Sequence, residues 1–323
     1  MLLNMKDTLT GTRFAVIGNN ARHVLPFLSQ AGASSVFYYE NYDCFDCRNG
    51  FDVLFVSDHS HVMACVNNYP DKIKAIGVIS GELIDPKIED LIPTIPIFSS
   101  TCISVRSVSE YVIASIFLAL RNISSAQINT QLNKEIKGKT LGIIGYGKVG
   151  VQVSVLAESL GMKVIFNDSD MKLNIGNSRQ ILKIPELLSE SDVVLLSTSP
   201  PERAVLTRDE LKNIKHGCSL INVSGIKAIE LQPLFDLLQD HAINCLIMDL
   251  DSADSAQEAN KVSGKLSSLS NVCLTRGELC RTSESLQKIS RNVVESVLNS
   301  LIKDKASRAG STLSGEELSP TLG

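Results

Sequence analysis

The chain has 323 residues, 44% of them apolar, and sets 31 Lys and Arg against 35 Asp and Glu for a net charge of -4. That is material for about two domains with sizeable cores, and it excludes a disordered chain. It also argues against a dedicated nucleic-acid or anionic-membrane binder, which needs a basic excess; no uncharged apolar run spans a bilayer, the start MLLNMKDTLT lacks the apolar segment of a signal peptide, and the eight cysteines read as reduced thiols of a cytoplasmic protein.

Apolar runs of strand length come first at Arg13–Ile17, Ser35–Tyr39, Val53–Val56, Ile73–Val78 and Ile95–Phe98. A helical pattern then covers Ser107 to Asn122. A second series of strands follows at Leu141–Ile144, Lys163–Asn167, Asp192–Leu196, Ser219–Val223, Asn244–Asp249 and Asn271–Thr275. Arg281–Lys303 is again helical, with Leu286, Ile289, Val293, Val297, Leu298 and Leu301 as its apolar positions. From Lys305 the polar, Gly/Ser-rich tail predicts a disordered terminus, 305–323. Strands alternating with helices imply parallel sheets of βαβ units covered on both faces. Two such series predict two α/β domains.

The strongest motif lies in KTLGIIGYGKVGVQVSVLAESLGMKVIFND, where Gly145, Gly147 and Gly150 fit G-x-G-x-x-G with Tyr146, Lys148 and Val149 between them. An apolar strand precedes it, a helix is predicted over Val151–Leu160, and a second strand ends at Asp168, close to the spacing expected for a dinucleotide site. Each residue type has a physical role. Gly145 permits the tight turn, Gly147 lets backbone approach a pyrophosphate, and Gly150 lets helix lie close to strand. The free N–H groups of the first helical turn then face the phosphates. Asp168 accepts the ribose hydroxyls of NAD and repels the extra phosphate of NADP. The competing interpretation is a tight strand–helix turn with no ligand.

With these residues in view, the chain resembles the D-2-hydroxyacid dehydrogenases, and among them the D-3-phosphoglycerate dehydrogenase branch. The likeness runs to about Asp304. SVSEYVIASIFLALRNI looks like the helix leading into the family's cofactor domain, with Glu110 in its expected place. The resemblance puts Ser199 and Pro200 in the loop lining the adenosine side. It puts Asp249 of LIMDL where the nicotinamide carboxamide is held. It implies a Rossmann-type NAD domain (104–285) inserted into a flavodoxin-like substrate domain (1–103 plus 286–304), both doubly wound, with NAD (NADH) as cofactor and a homodimer formed through the NAD domain.

The family's chemistry needs an Arg for the substrate carboxylate, a His for the hydroxyl proton and a carboxylate to orient that His. By resemblance the Arg position here is Gly225, the His position is Gly277, and the carboxylate falls near Asp254. Glycine transfers no proton and pairs with no carboxylate. Losing a positioned acid/base costs about 10²–10⁴-fold in rate. The substrate side departs too: Glu82 adds negative charge to the loop after Ile73–Val78, where Ser80 and Gly81 remain. Ser57 and Asp58 stand where the phosphoglycerate branch has an Arg.

The histidines are the natural substitutes for a missing acid/base. His216 and His241 precede their strands and fall at the wrong sheet edge, and His23 lies in a helix without a visible partner. His59 and His61 follow Val53–Val56 at the ligand-binding edge and are candidate acid/base groups, weighed against plain polar loop residues. Cys44-x-x-Cys47 with His59, His61 and Cys65 raises a zinc site, but one irregular pattern is weaker than free thiols, and no metal is expected. Cys102, Cys218, Cys245, Cys273 and Cys280 read as core fillers. The expectation is an NAD(H)-binding homologue without standard dehydrogenase activity, acting in regulation or as a scaffold, with no nucleic acid or membrane partner. The alternative is an active oxidoreductase acting on the CH–OH group of a small 2-hydroxy acid through residues such as His59 or His61.

Overall fold

The computed structural model describes residues 9–45, 50–57, 62, 72–80, 94–100, 105–121, 133–199, 202–250, 256–279 and 281–313. The chain divides into two compact units, Met1–Cys102 with Ser283–Gly323, and Ile103–Thr282.

The first unit holds a five-stranded parallel sheet built from β1 (Arg13–Ile17), β2 (Ser35–Tyr39), β3 (Val53–Val56), β4 (Ala75–Val78) and β5 (Ile97–Ser99), in the order β2-β1-β3-β4-β5. This is the flavodoxin-like doubly wound order. Strands β3 and β4 are buried at every residue, as parallel strands covered on both faces must be, whereas edge strand β2 leaves Phe37 and Tyr38 exposed. Helix α1 (Leu25–Ala31) carries Pro26 in its first turn and ends at Gly32 in the left-handed region. The last helix returns to this unit, its residues Ile289, Val293 and Val297 fully buried against Phe14, Val53 and Phe55. Gly77 makes that approach possible, because a Cβ there would stand 2.7 Å from Val293 Cγ1 and 2.6 Å from the Phe55 ring.

The second unit begins with α2 (Val105–Leu120) and continues through β6 (Thr140–Ile144), α3 (Lys148–Ser159), β7 (Lys163–Asn167), β8 (Arg179–Gln180), α4 (Ile184–Glu190), β9 (Val193–Leu196), α5 (Arg208–Leu211), β10 (Cys218–Asn222), α6 (Leu231–Gln239), β11 (Ile243–Leu250), α7 (Ala256–Leu266) and β12 (Val272–Arg276). Its seven parallel strands run β12-β11-β10-β9-β6-β7-β8. From β6 the chain moves one way to β7 and β8, then crosses to β9 and moves the other way. The switch point therefore lies between β6 and β9. One face packs Val112 and Ile116 of α2 with Val153 and Ala157 of α3, and the other packs Leu187 and Leu188 of α4 with Leu234 and Leu238 of α6.

Two expectations are corrected, and one element is new. Helix α3 starts at Lys148 rather than Val151: the Val151 N–H bonds Gly147 O at 2.9 Å, so the glycine-rich turn is already helical. The final helix, α8 (Ser283–Leu313), runs past Lys305 into the segment expected to be disordered, since extending an established helix through Ala- and Ser-containing sequence costs little and no proline interrupts it before Leu313. The short strand β8 was not foreseen; it pairs with β7 over two residues, too short for a period to register.

Candidate dinucleotide site

The site is built at the carboxyl ends of the second unit's strands. Gly145, just after β6, has φ +95°, and a Cβ there would stand 2.7 Å from the Ser197 carbonyl oxygen; a Cβ on Gly150 would stand 2.4 Å from Gly145 O. Both glycines are needed to close the turn and seat α3. Gly147 differs, since no described atom lies within 4 Å of its Cβ position. The three roles read from the motif thus separate into two close approaches inside the protein and one open face. Gly147 is the N-cap of α3, with no side-chain cap and no acidic residue in the first turn. The leading N–H groups of the helix, among them those of Lys148 and Val149, are unmatched within it. A cradle a Cβ would fill, beside uncapped N–H donors and the positive end of a helix dipole, fits a diphosphate.

Asp168 follows β7. Its Oδ2 accepts the Tyr146 N–H at 2.8 Å, its Oδ1 accepts the Asp170 N–H at 3.1 Å, and Lys172 Nζ lies 3.8 Å from Oδ1. Tyr146 is an internal anchor: its ring stacks on Phe166 at 3.6 Å, its hydroxyl meets Ser154 Oγ and Ser178 Oγ at 3.1 Å each, and it is 2% exposed. Its backbone, rather than its side chain, belongs to the site. Ser199 is exposed after β9; Pro200 lies outside the described residues.

On the other side of the switch point, the loops after β9 and β10 are stitched together. Ser224 Oγ accepts the Thr198 N–H at 2.7 Å, and the Ser224 N–H donates to Asn222 Oδ1 at 2.9 Å. Asn222 Nδ2 in turn donates to Gly225 O at 2.9 Å, holding Gly225 at φ 83° and ψ 171°. That backbone region belongs essentially to glycine. Asp249, at the end of β11, is 2% exposed, and its Oδ1 accepts Thr275 Oγ1–H and the Glu278 N–H, the latter at 3.2 Å. Tyr111 of α2 reaches Thr275 Oγ1 at 2.7 Å, and burial, with the charge of Asp249 adding, pushes its phenol up to about 12. Gly277 has φ +67° and open space at its Cβ position. Arg276 and Arg281 bond their own neighbours, Asn260 and Glu278, and Glu110 pairs with Arg106 on the exposed side of α2.

The remaining candidates sit elsewhere or outside the described residues. His216 and His241 precede β10 and β11 at the amino edge. His23 lies in a 3₁₀ turn of the first unit, its pKa lowered by burial and by Arg22. Ser57 accepts the N–H groups of Asn20 and Ala21 at 3.1 Å, so it serves the turn after β1. A cavity of about 420 Å³ beside it is lined by Glu40 and Asp43 and, among the described residues, by no basic side chain. His59, His61, Cys47, Cys65, Asp58, Gly81, Glu82, Cys102, Asp254 and Cys280 lie outside the described residues. Cys44 is exposed, Cys218 and Cys245 are buried as expected of core thiols, and Cys273 is only partly so. Among the described residues no group of three metal-binding side chains gathers, and no helix is long and apolar enough to cross a membrane. Sequence reasoning missed Tyr111, Ser224 and Lys172, none of which belongs to a spaced motif.

The comparisons identify the family and the fold. Residues 113–276 match the family described as D-isomer specific 2-hydroxyacid dehydrogenase, NAD binding domain. D-3-phosphoglycerate dehydrogenase of Haemophilus influenzae is 30% identical over 319 residues, covering 94% of this chain and 76% of that protein. The Escherichia coli enzyme of the same name is 35% identical over 231 residues, covering 68% of this chain and 55% of its own length. Among solved structures, apo D-lactate dehydrogenase of Escherichia coli superposes with a TM-score of 0.72 at 19% identity, over 89% of this chain and 96% of that one. D-lactate dehydrogenase of Aquifex aeolicus, complexed with NAD and lactic acid, gives 0.66 at 19% identity, over 93% and 98%. This chain belongs to the D-isomer specific 2-hydroxyacid dehydrogenase family, and its second unit is the family's NAD(H)-binding domain.

Proposed function

We propose that the protein binds NAD(H) through Gly145–Gly150, Asp168, Ser199, Pro200 and Asp249 without carrying out the standard dehydrogenase reaction, and serves as an NAD(H)-responsive regulatory or scaffolding protein. The observation that carries this reading is the backbone of Gly225. Where the family resemblance calls for the substrate-binding Arg, the chain holds φ 83° and ψ 171°, a conformation that residues with a Cβ essentially do not adopt. Gly277, at the position of the catalytic His, is also left-handed.

NAD supplies hydride chemistry when bound; the protein must supply the substrate grip and the proton. Asp168 and the first turn of α3 account for the grip on the cofactor, and Asp168 disfavours NADP. At Gly225 and Gly277 there is no side chain to fix a carboxylate or move a proton. In this reading the protein is cytoplasmic and pairs with a second copy through its NAD domain. Phe117 of α2 and Val155 of α3, 42% and 48% exposed, support that pairing.

Family membership favours a second reading, an active oxidoreductase on the CH–OH group of a small 2-hydroxy acid, with His59 or His61 as acid/base and Asp254 in support. Calorimetric titration with NAD+ and NADH, paired with hydride-transfer assays on 2-hydroxy and 2-keto acids including 3-phosphoglycerate, decides. The proposal expects binding without turnover. Turnover abolished by His59→Ala or His61→Ala would establish the second reading instead.

A further inference from the structure

A hydrogen-bonded chain runs from helix α2 into the end of β11. Thr275 Oγ1 donates its one proton to Asp249 Oδ1, so in the 2.7 Å contact between Tyr111 and Thr275 the phenol must be the donor. The sequence of donors is thus fixed: Tyr111 to Thr275, Thr275 to Asp249. The phenol's rise to about 12 keeps it a neutral donor at physiological pH. Asp249 Oδ1 also takes the Glu278 N–H at 3.2 Å. Two donors on one oxygen, Thr275 near the end of β12 and the N–H three residues beyond it, fix how the carboxylate is turned. One helical turn before Tyr111, Ser107 Oγ donates to Leu279 O at 2.7 Å. The same face of α2 therefore holds both Thr275 and the loop beyond Gly277.

The fold says which part of a dinucleotide lies there. In this strand order each half of the sheet takes one mononucleotide, on either side of the switch point between β6 and β9. Asp168, just after β7, serves the adenosine half. Asp249 and Thr275, at the ends of β11 and β12, stand in the other half. We infer that Tyr111 and Thr275 are positioning residues for the nicotinamide end of the cofactor: they hold the Asp249 carboxylate in the orientation that receives it. This rests on the NAD(H)-binding reading and adds residues to it. Tyr111 approaches Asp249 from a helix, 164 residues from Thr275 in sequence.

The test compares NAD+ with ADP-ribose, which keeps the adenosine, diphosphate and second ribose but lacks the nicotinamide. Calorimetry is run on the full chain and on Tyr111→Phe, Thr275→Val and Thr275→Ser. Tyr111→Phe is expected to weaken NAD+ about fivefold and Thr275→Val about tenfold, the range for losing one intramolecular hydrogen bond. ADP-ribose affinity stays unchanged in both, and Thr275→Ser retains wild-type affinity for NAD+. NAD+ affinity indifferent to both substitutions, or ADP-ribose falling by the same factor as NAD+, overturns the inference while leaving the NAD(H) reading intact. A wild-type protein that binds neither ligand overturns both.

Discussion

The backbone N–H of Tyr146 donates to Asp168 Oδ2 at 2.8 Å, which ties the glycine turn after β6 to the end of β7. The carboxylate proposed to take the ribose and the turn proposed to hold the phosphates are therefore one unit, and the buried Tyr146 side chain, wedged against Phe166 and two serine hydroxyls, anchors it.

Asp168→Asn keeps an acceptor for the Tyr146 N–H but loses the charge. Affinity for NAD+ is expected to fall about tenfold, as for other hydrogen bonds to charged groups. The preference for NAD+ over NADP+ should narrow as well, because the repulsion of a 2′-phosphate goes with the charge. Parallel calorimetric titrations with the two cofactors measure both effects. Unchanged discrimination would show that Asp168 does not face the ribose.

Gly145→Ala and Gly147→Ala separate folding from binding. At Gly145 the new Cβ would meet Ser197 O at 2.7 Å on a backbone with φ +95°, so urea denaturation should show a loss of about 1–3 kcal/mol. At Gly147 the Cβ enters open space, so stability should hold while NAD+ binding is lost to the obstructed phosphate cradle. Equal losses of stability in the two variants would contradict this division.

Much of this arrangement is legible in the chain. The strands through both cores announce themselves as apolar runs, because parallel strands buried on both faces need no alternation. Asp168 is found by its spacing from Gly150, since strand and helix lengths fix where β7 ends. Tyr111 is not found that way. Within VRSVSEYVIASIFLAL it reads as one more apolar position, and only the packing of α2 over β10 and β11 brings its hydroxyl to Thr275. The glycines at 225 and 277 show as vacancies in the sequence, but their positive-φ backbone goes with hydrogen bonds that no motif shows, the local one from Asn222 Nδ2 to Gly225 O and the tertiary one from the Gly277 N–H to Leu250 O.

Asp192 predicts an acid limb in the stability profile. Burial alone would raise its pKa, but hydrogen bonds from Lys215 and the Thr140 N–H, with the charges of Lys215 and Lys139, outweigh that and hold it below the ordinary 3.8. A depressed carboxyl contributes stability that is present above the unfolded value and lost as pH falls through the folded one. The wild type should therefore lose stability below about pH 4 more steeply than Asp192→Asn. Urea midpoints taken from pH 6 to pH 3 test this, and identical acid limbs would show that the Lys215 and Thr140 contacts contribute nothing.

The strongest test of the proposed loss of chemistry is to put it back. Gly225→Arg forces a Cβ onto φ 83°, ψ 171°, and Gly277→His onto φ +67°. A non-glycine residue in left-handed backbone costs about 1–2 kcal/mol, so each substitution should lower the urea midpoint. Space is not the obstacle at Gly277, where no described atom crowds the Cβ position, so a loss of stability in Gly277→His would isolate backbone strain as the cause. Even where the fold survives, the Asn222 clamp on Gly225 O directs the restored Arg from a backbone suited to no side chain. The double variant is therefore expected to bind NAD+ and still show no hydride transfer to or from 2-hydroxy acids. Turnover in that variant with unchanged stability would mean that two substitutions are all that separate this chain from a working dehydrogenase, and that its loops are still shaped for substrate.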